Sequence, residues 1–100
     1  MQGLGLMAWV HIVKLKIYLP FVTNLKEKRK IRLSLIDRFK KMNISAIEMA
    51  DQNLQNHLVL LLSYSSLDKA SLESKRDKIL ELVYEFSEHL VVEEETVGLD

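Results

Sequence analysis

The sequence has no cysteine, one proline and three glycines among its 100 residues. Without cysteine, disulfides, thiolate metal ligands and thiol nucleophiles are excluded, and a cytoplasmic location is the default expectation. The glycines stand at positions 3, 5 and 98, so no internal glycine-rich loop is present to cradle a phosphate. Hydrophobic residues make up 48% and charged residues 28%, which is typical of one globular domain of this length.

Signals for catalysis and for metal binding are also scarce. The three histidines, His11, His57 and His89, are far apart and show no metal-ligand spacing. Carboxylates cluster only where water is the expected surrounding, whereas acid–base catalysis needs a carboxyl group in a pocket. We therefore expect no enzymatic activity, no metal and no cofactor.

The N-terminal segment is apolar but does not fit a membrane span. Lys14 and Lys16 interrupt the apolar run before it reaches the 18 or so residues that a spanning helix needs, and no positive charge precedes it. We expect residues 1–100 to form one domain, with residues 1–7 as a loose extension, and no association with a membrane.

Hydrophobic periodicity predicts six elements. Alternation of period two indicates a strand over residues 9–19, and apolar runs too short for a stable helix indicate strands over residues 44–50, 57–64 and 89–97. Helical periodicity predicts a first helix that runs from an N-cap at Asn24, with Glu27 as its capping partner, to about residue 42. A second helix is predicted over residues 67–88, preceded by Ser65 and Ser66, with an acidic outer stripe of Glu73, Asp77, Glu81 and Glu85.

The order strand, helix, strand, strand, helix, strand favours an α+β, ferredoxin-like sandwich. In this fold a four-stranded antiparallel sheet carries both helices on one face, and the first and third strands are central. The other face would then display apolar side chains, among them Val10 and Ile12 and either Val59 and Leu61 or their neighbours. Such a patch is rarely left in water, so we expect a homodimer through the open sheet face, or a cover formed by the N-terminal extension.

Charge is distributed unevenly although its sum is zero. Residues 1–45 carry ten Lys or Arg against Glu27 and Asp37, and the rest of the chain carries the opposite excess. The basic excess is densest over residues 24–32, at the start of the first predicted helix. The candidate anion-binding residues are Lys26, Lys28, Arg29, Lys30 and Arg32.

Two interpretations of this basic run stay open. It could be the solvated side of a surface helix, partly paired with the neighbouring acidic stripe. Alternatively, the positive end of a helix and its free N–H groups could make a phosphate site together with these cations. Lys28 and Arg32 fall within the apolar arc of the helix, where they would either extend past the sheet end toward a ligand or anchor Glu48 or the terminal acids.

Two segments of the chain resemble the YlxP-like family of small bacterial proteins, a family of unknown molecular function. The run LKEKR at residues 25–29 is similar to the segment that opens the first helix in that family. A second segment, with Asn43, Ser45, Glu48 and Gln52, precedes a turn in the same way. The resemblance implies a ferredoxin-like fold and a gene neighbourhood of translation and ribosome-maturation genes.

Two functional hypotheses follow. The first is a non-enzymatic factor of ribosome maturation or translation that binds the backbone of structured RNA, with ribosomal RNA or a ribosomal subunit as its partner. The central strands offer Tyr18 and Tyr64 near their ends and mainly aliphatic residues otherwise, which argues against single-strand readout by the sheet, and no DNA-binding signal is present. The alternative is a homo-oligomeric protein-interaction module that binds no nucleic acid.

Overall fold

The computed structural model describes residues 7–50 and 53–100 of the chain. Of the predicted extension at residues 1–7, only Met7 belongs to the described residues. Gln52 of the family-like segment also lies outside them. The elements follow in the predicted order. They are β1 Ala8–Tyr18, α1 Leu25–Lys41, β2 Ser45–Ala50, β3 His57–Ser66, α2 Lys69–Tyr84 and β4 Leu90–Leu99.

The four strands form one antiparallel sheet in the order β2-β3-β1-β4, which confirms the ferredoxin-like prediction. Strand β1 pairs with β3 from Trp9 opposite Ser66 to Tyr18 opposite His57, and with β4 from Ala8 opposite Leu99 to Ile17 opposite Leu90. Because β1 and β3 each have two neighbours, the most apolar strands occupy the centre of the sheet.

Alternate residues of the strands build the core beneath the helices. Leu15 of β1 lies opposite Leu60 of β3, and both are fully buried. The helices contribute Leu35 and Phe39 from α1 and Ile79 from α2 to the same cluster. The residues between these core positions form the open sheet face, as the period-two pattern predicted.

The ends of α1 follow from local chemistry. The Asn24 side chain accepts a hydrogen bond from the Glu27 N–H at 2.9 Å, which confirms the predicted N-cap. At the other end Asn43 adopts a left-handed conformation with φ of 60°, a backbone state that asparagine tolerates and that stops the helix.

The predicted boundaries of α2 were wrong at both ends. Asp68, rather than Ser65 or Ser66, is the N-cap, because its carboxylate accepts from the Ala70 N–H at 3.0 Å. Both serines belong to β3, where the pairing with β1 holds them in the sheet. The helix ends at Tyr84, short of the predicted residue 88.

Strand β4 is longer than predicted and continues through its acidic segment to Leu99. Its alternation turns Glu94 toward the helices and leaves Glu93 and Glu95 on the open face, so the three carboxylates do not crowd one another. Gly98 lies under the Trp9 ring, where a Cβ atom would come within 2.6 Å of Trp9 Cζ3. Glycine at this position allows the indole ring to pack directly on the backbone of the edge strand.

Candidate nucleic-acid interface

Two of the five candidate cations are held by one carboxylate beneath α1. Lys28 Nζ lies 3.3 Å from one Glu48 oxygen, and Arg32 donates to the other at 2.9 Å. Lys28 Nζ also donates to the Leu54 carbonyl at 2.9 Å. The side chains of Lys28 and Glu48 are 4% and 8% exposed, so the ion pair is almost fully removed from water. Lys28 and Arg32 could either extend toward a ligand or anchor a carboxylate, and these contacts correspond to the anchoring of Glu48.

Glu48 reaches this position through the regular register of β2 with β3, immediately before a bulge. It pairs with Leu60 of β3, and the register shifts between Glu48 and Ala50, so that Met49 is inserted there as a bulge. The pairing with Leu60 puts Glu48 on the helix-covered face, directly under the stripe of α1 that carries Lys28 and Arg32. The bulge ends the regular pairing immediately after this residue.

The remaining candidates, Lys26, Arg29 and Lys30, are exposed to solvent. No ion pair joins any of the three to another residue of the described part of the chain. Together with their neighbours they form what we call the outer helix surface. Its members are Lys26, Arg29, Lys30, Leu33, Asp37, Lys40 and Lys41.

The charge of the outer helix surface is strongly positive. Asp37 is its one acidic member, and it is paired with Lys41 at 3.1 Å, four residues further on. Among the described residues of the buried cluster underneath, Lys28 and Arg32 contact Glu48. The helix therefore presents cations to solvent above this cluster.

The tip of α1 is less open than its sequence predicts. The N–H groups of Glu27 and Lys28 are occupied by the side chain and the backbone carbonyl of Asn24. The Glu27 carboxylate turns back to accept from the Thr23 N–H at 3.0 Å, which places a negative charge at the tip. Phosphate binding by free N–H groups at this end is therefore less favourable than binding by the side chains of the outer helix surface.

A cleft of about 300 Å³ opens beside this end of the helix. Arg29 stands at its exposed side, and the Lys28, Arg32 and Glu48 cluster forms much of the rest of its lining together with Leu25 and Asn53. The described part of the lining includes Lys28, Arg29 and Arg32 together with Glu48, so it extends the positive charge of the outer helix surface toward the loop before β3.

The other basic residues of the N-terminal half have separate surroundings. Arg38 is ion-paired with Glu85 and lies 5.8 Å from the Phe86 ring centroid, so it joins α1 to the end of α2. Lys14 and Lys16 lie on the open sheet face, where Lys14 is opposite Glu93. Neither group extends the outer helix surface.

A second charged cluster, which the sequence analysis missed, lies between α2 and β4. The buried His11 ring contacts Thr96 Oγ1 through Nδ1 at 2.7 Å and Glu94 Oε1 through Nε2 at 3.0 Å. Arg76 donates to the same carboxylate at 3.3 Å, and Glu94 raises the pKa of its guanidinium group. The alternation of β1 placed His11 on the helix side, but no local signal in the sequence joins it to residues more than 80 positions away.

Tyr64 packs against this cluster, with its ring centroid 5.4 Å from that of His11. Burial, followed by the nearby Glu94 carboxylate, raises the pKa of Tyr64 to about 12. A phenol with this pKa keeps its proton and donates a hydrogen bond to the Leu72 carbonyl. The cluster is thus a packed connection between β1, α2 and β4.

Two features are absent from the described residues. No helix within residues 7–50 and 53–100 is both long enough and apolar enough to cross a membrane. Over the same residues, no three His, Asp or Glu side chains come together in an arrangement that would hold a metal ion.

Solved structures similar to this chain share its fold at low sequence identity. A de novo designed protein, Foldit4, superposes with a TM-score of 0.59 at 12% identity, covering 90% of this chain and 96% of its own. A dimeric ferredoxin-like protein from an uncultured marine organism superposes with a TM-score of 0.55 at 8% identity, covering 93% of this chain and 95% of its own. At these identities the likeness establishes the fold alone.

The sequence itself identifies a family. A search of curated proteins gives no match. The model of the family described as "Protein of unknown function (DUF503)" matches residues 10–96, which include every helix of the chain and most of every strand. The resemblance to the YlxP-like family stays a prediction. The chain belongs to the DUF503 family, whose function is unknown.

Proposed function

We propose that this protein is a non-enzymatic, cytoplasmic factor that binds the backbone of structured RNA through the outer helix surface. The observation that carries the proposal is the exposure of Lys26, Arg29 and Lys30 on one side of α1 with no ion-pair partner among the described residues. Cations of a surface helix that are not neutralised internally are available to phosphates. Lys28 and Arg32 support the site from below by holding the helix against β2.

The dimensions of the outer helix surface suit several phosphates. Lys26 and Lys40 are 14 positions apart on one helix, which corresponds to about 21 Å along its axis. Binding of this kind recognises the shape and charge of an RNA rather than its bases. The gene neighbourhood implied by the YlxP-like resemblance favours ribosomal RNA, or a ribosomal subunit, as the partner in ribosome maturation or translation.

The test is a salt titration of binding to ribosomal RNA fragments and to ribosomal subunits. The triple variant Lys26→Glu, Arg29→Glu, Lys30→Glu should bind at least 100-fold more weakly than the unmodified protein at low salt. The slope of the logarithm of the binding constant against the logarithm of the salt concentration should also become less steep by about three. Each lost phosphate contact lowers that slope by about one. Binding that responds to neither salt nor the charge reversal would refute the proposal.

Helix α2 offers a matched control. The variant Lys69→Glu, Lys75→Glu, Lys78→Glu makes the same change of net charge on the neighbouring helix and should reduce affinity much less. Both triple variants replace mainly exposed side chains, so their free energy of unfolding should stay within about 1 kcal/mol of the original value. Equal losses in the two variants would indicate that net charge, rather than the outer helix surface, governs binding.

A second candidate function is a homodimeric protein-interaction module that uses the open sheet face. Ile47 on β2 and Val91 on β4 are exposed on this face by 55% and 57%, and Ile12 and Leu61 lie between them in half-exposed positions. The description of one structural neighbour as dimeric supports the same candidate. The open face also carries lysines on β1 and glutamates on β4, a mixture that two copies could match to each other.

Sedimentation equilibrium tests this candidate. Ile47→Lys should convert a dimer into a monomer, because it places a charge in the apolar part of the open face. Leu33→Lys is a matched control, since Leu33 is also 55% exposed but lies on the outer helix surface. Val59 is unsuitable as a test position because its side chain is already buried within one chain, with only 2% exposed. A monomer at all concentrations would eliminate the candidate.

A further inference from the structure

Three aromatic side chains stand side by side at one end of the open sheet face. Tyr18 ends β1, His57 begins β3 opposite it, and His89 precedes β4, where its carbonyl accepts from the Tyr18 N–H at 2.8 Å. The Tyr18 ring centroid is 5.4 Å from that of His57 and 6.3 Å from that of His89. We call Tyr18, His57 and His89 the aromatic row.

The members of the aromatic row are exposed. Tyr18 is 43% exposed, and both histidines are exposed as well. Tyr64, by contrast, is 4% exposed and lies on the helix-covered face. The sequence analysis counted only tyrosines on the central strands, so it missed the two histidines that the sheet brings to either side of Tyr18. Their rings are flat and can stack on a nucleobase as tyrosine does.

Charge next to the aromatic row favours an anionic chain on one side. Lys16 is exposed on the same face, two residues before Tyr18, and lies opposite Val59 and Val91. Glu88 is exposed beside His89, at the other side of the row. A phosphate backbone would therefore approach from Lys16 and His57 rather than from Glu88.

The aromatic row lies at the same end of the molecule as the start of the outer helix surface. Only residues 19–24 separate Tyr18 from Leu25, the first residue of α1. Asn56, which precedes His57, donates from Nδ2 to the carbonyls of Leu19 and Val22 at 2.9 and 2.8 Å. These bonds fix the loop before α1 to the loop before β3 at this end of the molecule. The aromatic row lies on the open sheet face and the outer helix surface on the outward side of α1, so an RNA that contacts both must bend around this end.

We propose that the aromatic row stacks on an unpaired nucleobase of an RNA whose paired region lies along the outer helix surface. This inference rests on the proposed function and adds a preferred ligand, a duplex joined to a short single strand. The outer helix surface supplies charge attraction, and the aromatic row supplies a contact that a fully paired RNA cannot make.

The experiment compares two probes in fluorescence anisotropy at constant salt. One is a blunt RNA hairpin, and the other is the same hairpin with four unpaired nucleotides at its 3′ end. The protein should bind the extended hairpin about tenfold more tightly, which is about 1.4 kcal/mol. Tyr18→Leu should abolish this preference without changing affinity for the blunt hairpin, whereas Tyr18→Phe should retain it because the ring is kept.

The outcomes separate this inference from the proposed function. Equal affinity of the protein for the two hairpins, or a preference that survives Tyr18→Leu, would overturn the aromatic row as a stacking site and leave binding by α1 intact. Failure to bind either hairpin would overturn both. Sedimentation of the complexes adds one further check, because a second copy that covers Tyr18 in the bound state also contradicts the inference.

Discussion

Glu48 and Glu94 occupy equivalent places in the two halves of the fold, each on an edge strand with its side chain on the helix-covered face. Glu48 on β2 binds Lys28 and Arg32 of α1, and its side chain is 8% exposed. Glu94 on β4 binds Arg76 of α2 and His11 of β1, and its side chain is 33% exposed. The two carboxylates thus join a helix to a sheet edge at different depths.

The helices above them differ in what they leave to solvent. On α1 the inner cations are used by Glu48, and the outer helix surface is basic. On α2 the outward stripe is acidic, and its members Glu73, Asp77 and Glu81 are all exposed, while Glu85 at the C-cap is ion-paired with Arg38. A polyanion that approaches the helix layer would be attracted by the outer helix surface and repelled locally by this acidic stripe. The internal ion pairs therefore join each helix to its sheet edge, and the outward residues set the charge that each helix presents to solvent.

The largest expected effect comes from removing the deeper carboxylate. Glu48→Ala would leave Arg32 and the buried Lys28 without the carboxylate that lies between them, and should lower the free energy of unfolding by about 3 kcal/mol. Urea denaturation measures the change. Glu81→Ala, at an exposed position on α2, is the control and should change stability by less than about 0.5 kcal/mol. A similar small change for Glu48→Ala would show that burial of the cluster does not matter.

An intermediate effect is expected from Tyr64 at alkaline pH. The unfolded chain loses the phenol proton near its usual pKa of 10, whereas the folded protein retains it until about pH 12. The folded state then binds more protons within this window, so stability falls as the pH rises through it. Between pH 9 and 11 the protein should lose about 1.4 kcal/mol more than Tyr64→Phe.

The control for this prediction is a variant that removes the Glu94 charge beside the phenol. Because the Glu94 carboxylate adds to the effect of burial, Glu94→Gln should reduce the alkaline loss without abolishing it. Denaturation curves at matched pH values provide the comparison. Identical pH dependence of the protein and Tyr64→Phe would contradict the assignment of the alkaline loss to this phenol.

The smallest effect is expected at the shallower carboxylate. Glu94→Ala should cost about 1 kcal/mol, because Arg76 is partly exposed and can be hydrated, and His11 keeps its bond to Thr96. The measurement is the urea midpoint relative to that of Glu48→Ala. A loss as large as that of Glu48→Ala would show that the two carboxylates contribute equally to stability despite their different burial.

Several features of the fold could be predicted because they depend on neighbours in sequence. The Asn24 cap, the alternation of β1 and the acidic stripe of α2 are local patterns, and the structure has all three. The start of α2 was mispredicted because Ser65, Ser66 and Asp68 are all suitable caps. Pairing of both serines with β1 in the sheet decides between them.

The candidate site was predicted only in part. Five cations at the start of α1 were evident, but their division into inner and outer groups depends on where Glu48 lies, and the register of β2 with β3 decides that. The aromatic row was not predicted, since its three residues come from separate strand ends that only the sheet brings together.

The amino-acid sequence by itself determined the order of the elements, the central strands and the basic character of α1, because periodicity, capping and charge act over a few residues. Tertiary structure alone decided which cations face a carboxylate and which face water, and which aromatic rings share a surface. These depend on strand register and helix packing, which bring together residues that are distant in the chain and that no local pattern relates.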